Sequence, residues 1–114
     1  MTLVELPVGS WWSWEIVSFD GSSLTLAAGA DLTYHHELEL SFVDVAYLSV
    51  PTVFEHPMFR EPTDDEISRV HAYVGEVPPV VVAFDVEANA GEVEYLPCVI
   101  AADAFSIESR SFLR

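Results

Sequence analysis

The sequence predicts an α+β domain: a mostly antiparallel β-sheet, or a small open barrel, of about six strands with one short α-helix near residues 64–74. Three observations support this prediction. Apolar and polar residues alternate over much of the chain, turn-forming residues interrupt the alternation at short intervals, and one segment has a helical period with capping residues at both ends. With 114 residues and 51% apolar residues, the chain can bury one core, so residues 1–114 are expected to form a single domain.

The first two strands are predicted to form a hairpin. Residues 11–19 have strand character, Asp20 and Gly21 can supply the positive φ angles of a tight turn, and residues 22–28 return. With a two-residue loop, Val17 would lie opposite Leu24 and both side chains would point to the same face.

The longest extended segment, residues 34–50, has one apolar and one polar face in its first half. The apolar positions are Leu38, Leu40 and Phe42, and the polar positions are Glu37, Glu39 and Ser41. Around residues 43–45 the alternation changes phase. This change predicts either a β-bulge or a strand that crosses from one sheet face to another.

Residues 51–62 contain three prolines and no sustained period, which predicts a loop that packs its aromatic and methionine residues inward. The helix that follows has Thr63 at its N-cap, Glu66 three residues later as a capping box, and Gly75 as a C-terminal stop. Its predicted inner face consists of Ile67, Val70, His71 and Val74.

The last third of the chain is predicted to contain three strands. Residues 80–87 form the first, residues 89–91 turn the chain, and a second strand runs from residue 92 to about residue 98. Pro97 lacks an N–H donor, which favours a sheet edge or a bulge there. A final strand is expected at about residues 104–110.

The charge of the chain excludes several functions. It has 19 acidic residues, four arginines and no lysine, for a net charge of −15. Nucleic-acid binding through phosphates needs clustered cations, and Schiff-base catalysis needs a lysine, so we expect neither. The acidity also has two explanations unrelated to function, which are adaptation to high salt and a codon bias that favours arginine.

The sequence predicts a cytosolic protein that is not inserted in a membrane. An apolar run such as residues 77–84 is far shorter than the roughly 20 residues of a membrane-spanning helix. The N-terminus lacks the basic and apolar segments of a secretion signal. A single cysteine, Cys98, cannot form an internal disulfide and is expected to be a small buried hydrophobic residue.

One candidate site is a divalent metal site on the strand that starts near residue 35. His35, Glu37 and Glu39 would project from the same face at intervals of about 7 Å, and His36 or His56 could assist. The alternative is a solvated strand face with one half-buried histidine.

A second candidate site is an acidic face on the hairpin of residues 84–95, suited to a basic partner protein. Alternation predicts that four carboxylates, those of Asp85, Glu87, Glu92 and Glu94, lie on the face opposite Val86, Val93 and Tyr95. Like charges on neighbouring strands repel, so a partner cation would relieve them. The alternatives are a metal ion or a solvated face that salt screens.

A third candidate site is an aromatic interface formed by Trp11, Phe54 and Phe59. Alternation sends Trp12 and Trp14 to one side of the first strand and Trp11 to the other, where an exposed ring could bind a partner or a ligand. The alternative is that two tryptophans fill the core and the third packs under the loop that holds Phe54 and Phe59.

No motif supports catalysis, since the chain lacks a nucleophile elbow, a phosphate-binding loop and a zinc-type Cys/His spacing. We therefore favour a non-catalytic protein-interaction module, of the kind that neutralises a basic toxin or a nucleic-acid-binding protein. The alternatives are a small metal- or ligand-binding β protein and a structural subunit of a homo-oligomer.

Overall fold

The computed structural model describes residues 3–7, 11–29, 35–87 and 94–113; within these ranges, the side chains of residues 35–36 and 110–113 are not described. In the described part, two antiparallel sheets face each other and one helix packs on the outer side of the smaller sheet. This arrangement confirms the predicted fold class of mostly antiparallel sheet with one short helix.

Nine strands lie in the described part of the chain, compared with about six in the prediction. The five-stranded sheet contains, in spatial order, β5 (Val53–Glu55), β1 (Ser13–Phe19), β2 (Leu24–Gly29), β3 (His35–Val43) and β9 (Ala104–Leu113). The four-stranded sheet contains β4 (Tyr47–Ser49), β8 (Tyr95–Ala102), β7 (Val80–Glu87) and β6 (Met58–Arg60). β4 is the last part of the predicted extended segment 34–50, which the structure divides into two strands. The strands β5 and β6 lie in the predicted loop and have three residues each, too few to show an alternation in sequence.

The main core lies between the two sheets and is formed by alternate residues of each strand. The five-stranded sheet contributes Trp14, Leu24, Leu26, Leu38, Leu40 and Phe42, and the four-stranded sheet contributes Val82, Phe84, Val86, Cys98 and Ile100. Burial of these side chains is the largest favourable contribution to folding, at about 25 cal/mol per Å² of apolar surface.

The first hairpin forms as predicted, but its register differs. Phe19, not Val17, lies opposite Leu24, and a bulge between Ile16 and Ser18 leaves Val17 without a cross-strand partner and substantially exposed. The loop has four residues because the Asp20 carboxylate accepts hydrogen bonds from the backbone N–H groups of residues 22 and 23, at 2.9 and 2.7 Å. Gly21 has a φ of 90°, as the predicted turn requires.

The change of phase at residues 43–45 marks the crossing of the chain from one sheet to the other. β3 ends at Val43, Asp44 has a φ of 55°, and β4 then joins the four-stranded sheet. The β8–β9 connection crosses beside it, where the N–H of Asp103 donates to the carbonyl of Val43 at 3.0 Å. At this corner of the sandwich the chain therefore passes between the two sheets twice, side by side.

Residues 51–62, predicted to be a loop, contain β5 and β6, which belong to different sheets. His56, with a φ of 50°, lies between them, and its N–H donates to the carbonyl of Trp12 at 2.9 Å. The prediction of inward packing is confirmed for Phe54, which is buried, and is wrong for Met58, which is 47% exposed. The three prolines of this segment, Pro51, Pro57 and Pro62, lie outside both strands, so neither strand lacks a backbone donor.

The helix α1 spans Asp64–Val74 and has the predicted caps. The Thr63 hydroxyl accepts from the N–H of Glu66 at 3.2 Å, the Glu66 carboxylate accepts from the N–H of Thr63 at 2.9 Å, and Gly75 has a φ of 91°. Val70 is buried against the outer side of the four-stranded sheet, and His71 is exposed, so the prediction that His71 belongs to the inner face is wrong.

Candidate functional site

The hairpin of β7 and β8 does not carry the predicted row of four carboxylates. Glu87 pairs with Tyr95, and Asp85 pairs with Pro97. Since directly paired residues share a face, Tyr95 lies on the same side as Glu87, contrary to the predicted parity. Glu94 precedes β8 and is exposed, whereas Glu92 lies outside the described residues.

Asp85 is also not available as an open negative charge, because Arg60 binds it. The Arg60 guanidinium donates from Nε and Nη2 to the two Asp85 oxygens, each at 3.0 Å. It also donates from Nη1 and Nη2 to the two Glu66 oxygens, at 2.7 and 2.9 Å. One arginine therefore joins the N-terminus of α1 to the middle of β7, and Asp85 has a structural partner within the chain.

The electrostatics of this network follow from burial and hydrogen bonding. The Glu66 side chain is only 6% exposed. The hydrogen bonds from Arg60 lower the pKa of Glu66 despite its burial, and the bonds to Thr63 lower it further. The capping box could be predicted from local spacing, but the role of Arg60 could not, because Asp85 is 25 residues away in the sequence.

A different acidic surface lies where β5 meets the turn end of the β7–β8 hairpin. We call it the acidic end and define it by three carboxylates, Glu55, Glu87 and Glu94, and three apolar side chains, Val53, Tyr95 and Leu96. All six residues are exposed, and Val53 is 63% exposed. An apolar centre with a charged rim is the usual composition of a protein-binding surface.

The acidic end contains a cavity of about 240 Å³. Its apolar walls come from Pro51, Val53, Phe54, Val86 and Leu96. Two carboxylates, Glu55 and Glu87, also line it, and none of the lining residues that the structure describes is basic. A second hollow of about 450 Å³ adjoins it, since both include Pro51 and Leu96 in their walls. Glu87 could be identified from the sequence, but the cavity could not, because its walls come from strands of different sheets.

Further carboxylates lie on the outer face of the five-stranded sheet. In the cross-strand register, Val53 pairs with Glu15, Glu15 with Ala27, Ala27 with Glu39, and Glu39 with Glu108. Alternation predicted the polar face that contains Glu39, whereas its alignment with Glu15 and Glu108 depends on strand order. Val53 connects this row to the acidic end.

The predicted metal site remains a prediction. Leu38 and Leu40 are buried, which places Glu37 and Glu39 on the outer face of β3, while the side chain of His35 lies outside the described part. Among the side chains that the structure does describe, no group of three or more His, Cys, Asp or Glu residues is placed to hold a metal ion.

The predicted aromatic interface is instead largely part of the core. Phe54 is only 5% exposed and stacks on Trp14 with ring centroids 5.9 Å apart, and the half-buried Phe59 contacts the same ring at 5.6 Å. Trp11 is half-buried against the core, whereas Trp12 is 55% exposed. The prediction that Trp12 and Trp14 lie on the same side is wrong, because β1 begins only at residue 13 and Trp12 is exposed whereas Trp14 is fully buried.

Cys98 is buried on β8, as expected for a lone cysteine in an apolar strand. Burial raises the pKa of its thiol to about 11, and the nearby Asp85 carboxylate raises it as well. A thiol with a raised pKa is a poor nucleophile at neutral pH, so Cys98 has a structural role in the core.

The fold and these surfaces define a small antiparallel β-sandwich with one helix and an acidic, partly apolar end. We compared the chain with models of protein families, with curated proteins and with solved structures, and none of them matches it. Over the ranges that the structure covers, no helix has the length and apolarity needed to cross a bilayer.

Proposed function

We propose that this chain is a non-catalytic protein-interaction domain that binds a basic protein through the acidic end, as a neutralising or immunity-type protein does. The observation that carries the proposal is the combination of Glu55, Glu87 and Glu94 with the exposed apolar side chains of Val53 and Leu96. Apolar contact would supply affinity, and the carboxylates would select a positively charged partner.

The charge of the whole molecule supports the proposal. A net charge of −15 attracts a basic partner over a distance of about 10 Å at moderate salt and accelerates encounter. One of the four arginines, Arg60, is engaged with Glu66 and Asp85 inside the fold and cannot offset the acidic end. Binding of this kind weakens as salt screens the charges.

The test uses two fluorescent peptides as basic probes, one with four arginines alternating with glycine and one with four lysines. The site variant is Glu55→Gln/Glu87→Gln. The control is Glu76→Gln/Asp103→Asn, which changes the net charge equally. Asp103 lies at the far end of β8, about 25 Å from the acidic end by strand rise, and Glu76 precedes the far end of β7.

We expect both probes to bind at 50 mM NaCl and to weaken strongly at 300 mM. The site variant should bind about three- to ten-fold more weakly than the wild type, since each exposed ion pair contributes on the order of 0.5 kcal/mol, and the control should change little. Absence of binding at low salt, or equal losses in the two variants, would contradict the proposal. Thermal unfolding of each variant checks that the fold is retained.

Self-association through the same exposed apolar surface is the competing function. It would bring like charges together, which opposes it. Sedimentation of the wild type and of Val53→Asp distinguishes the two, because a dimer that this substitution dissociates would assign the acidic end to a homo-oligomer.

A further inference from the structure

We infer that the cavity in the acidic end is a receptor for a single arginine side chain of the basic partner. This inference rests on the proposed function and specifies its chemistry. Three observations lead to it: the size of the cavity, the composition of its walls and the way this chain already binds an arginine between two carboxylates.

The size of the cavity suits one side chain. Sites for drug-sized ligands occupy roughly 300–1,000 Å³, and this cavity has about 240 Å³. The adjoining hollow, walled by residues 48–51 and 96–98, leaves room for the partner backbone beside the inserted side chain.

The walls match both parts of an arginine. The three methylene groups need an apolar channel, which Val53, Val86 and Leu96 provide. The guanidinium needs acceptors, and Glu55 and Glu87 offer four carboxylate oxygens in a lining whose described residues include none that is basic. Arginine suits this environment better than lysine, since its planar group is more weakly hydrated and can serve two carboxylates at once.

The aromatic wall is held in place before any partner arrives. Phe54 stacks on Trp14, and its ring centroid lies 5.3 Å from that of Phe84. These contacts restrict the rotamer of Phe54, so little side-chain entropy is lost when the cavity is filled.

The chain contains an internal precedent for this recognition. Arg60 lies between Glu66 and Asp85 and makes four hydrogen bonds of 2.7 to 3.0 Å to their carboxylate oxygens. Arg60 comes from β6, next to β7, and Asp85 is two residues before Glu87 on β7. The same strand thus offers one carboxylate to an internal arginine and a second to the cavity.

His56 lies close to Glu87, one of the two carboxylates of the cavity: its Nδ1 atom is 4.0 Å from Oε2 of Glu87. Both side chains are about half exposed. At this distance His56 makes no hydrogen bond to Glu87, so both Glu55 and Glu87 remain as acceptors for the guanidinium.

The experiment titrates the ¹⁵N-labelled chain with blocked pentapeptides that have arginine, lysine or citrulline at the centre of four glycines. Citrulline has nearly the shape of arginine without its charge. We expect the arginine peptide to bind at least ten-fold more tightly than the citrulline peptide, with amide shifts concentrated at residues 53–55, 86–87 and 96. The charge-neutral variant Val53→Trp, which fills the mouth of the cavity, should abolish these shifts.

The outcomes separate this inference from the proposed function. Equal binding of the lysine and arginine peptides, or shifts outside the cavity, would overturn the arginine receptor and leave a basic-protein surface standing. Equal binding of the citrulline peptide would also overturn it. If none of the single-cation peptides binds and the four-arginine and four-lysine probes fail as well, both the receptor and the proposed function are refuted.

Discussion

Replacing Arg60 by methionine should destabilise the fold more than any other substitution of a cation in the described part of the chain. The substitution keeps an unbranched apolar side chain and removes the guanidinium, which makes four hydrogen bonds to Glu66 and Asp85. Two carboxylates would then face each other without a cation, one of them only 6% exposed.

The magnitude follows from burial. Removing one partner of a fully buried ion pair costs about 3–5 kcal/mol. Arg60 and Asp85 are 28% and 26% exposed, so water would partly solvate the remaining charges. We therefore expect a loss of about 2–3 kcal/mol in the free energy of unfolding. For a domain of this size that loss lowers the Tm by roughly 10–20 °C.

The assay is urea unfolding followed by tryptophan fluorescence, which reports on the fully buried Trp14. The control is Arg69→Met, since Arg69 is exposed on α1. The triple variant Arg60→Met/Glu66→Gln/Asp85→Asn should recover part of the loss, because its amides carry no charge. If Arg60→Met changes the free energy by less than about 0.5 kcal/mol, as expected for a surface residue, the reasoning is refuted.

The pH dependence of stability provides an independent check on the same network. Arg60 lowers the pKa of Glu66 in the folded state below its ordinary value of 4.5. The resulting stabilisation is fully present above pH 4.5 and is lost as the pH falls through the lowered folded-state pKa. The difference between the wild type and Arg60→Met should therefore shrink in acid. A difference that stays constant from pH 7 to pH 3 would contradict this assignment.

Two further predictions concern single residues. Cys98 should react with a thiol reagent at neutral pH at least about 100-fold more slowly in the folded chain than in the unfolded chain. The reason is that folding buries the thiol and raises its pKa from 9.0 to about 11. Equal reaction rates with and without urea would contradict this prediction. Gly75→Ala should lower the free energy of unfolding in urea by about 1 kcal/mol because of the φ of 91° alone, since an added Cβ would meet no atom within 4 Å. The control is Ser68→Ala, on the exposed face of α1. An unchanged unfolding midpoint for Gly75→Ala would exclude backbone strain at this position.

The candidate site could be predicted only in part. Alternation and charge pointed to Glu87 and Glu94 near the β7–β8 turn, where both are exposed. The prediction placed Asp85 with them, although Arg60 binds Asp85 inside the fold. No local pattern relates two residues on neighbouring strands that are 25 positions apart. The same limit applies to the cavity, whose walls come from both sheets.

The register of the first hairpin shows why strand positions were harder to predict than strand existence. The alternation of apolar and polar residues identified β1 and β2, but the register in which the two strands pair depends on the length of the loop between them. The Asp20 carboxylate binds two backbone N–H groups, which makes a four-residue loop and requires a bulge at Val17 to keep the apolar faces aligned. A shift of one residue moves every side chain to the other face, so a local detail of the turn controls the whole pairing.

The amino-acid sequence by itself determined the features that depend on interactions between residues close together in the chain. The helix α1 is the clearest example, since Thr63, Glu66 and Gly75 satisfy its ends within a few residues. The two-residue period that predicts antiparallel sheet has the same local origin. The strong negative charge follows from the composition alone. Only the tertiary structure decided which strands are neighbours, which carboxylates Arg60 neutralises and where a cavity remains, because these depend on packing among residues that are distant in the sequence.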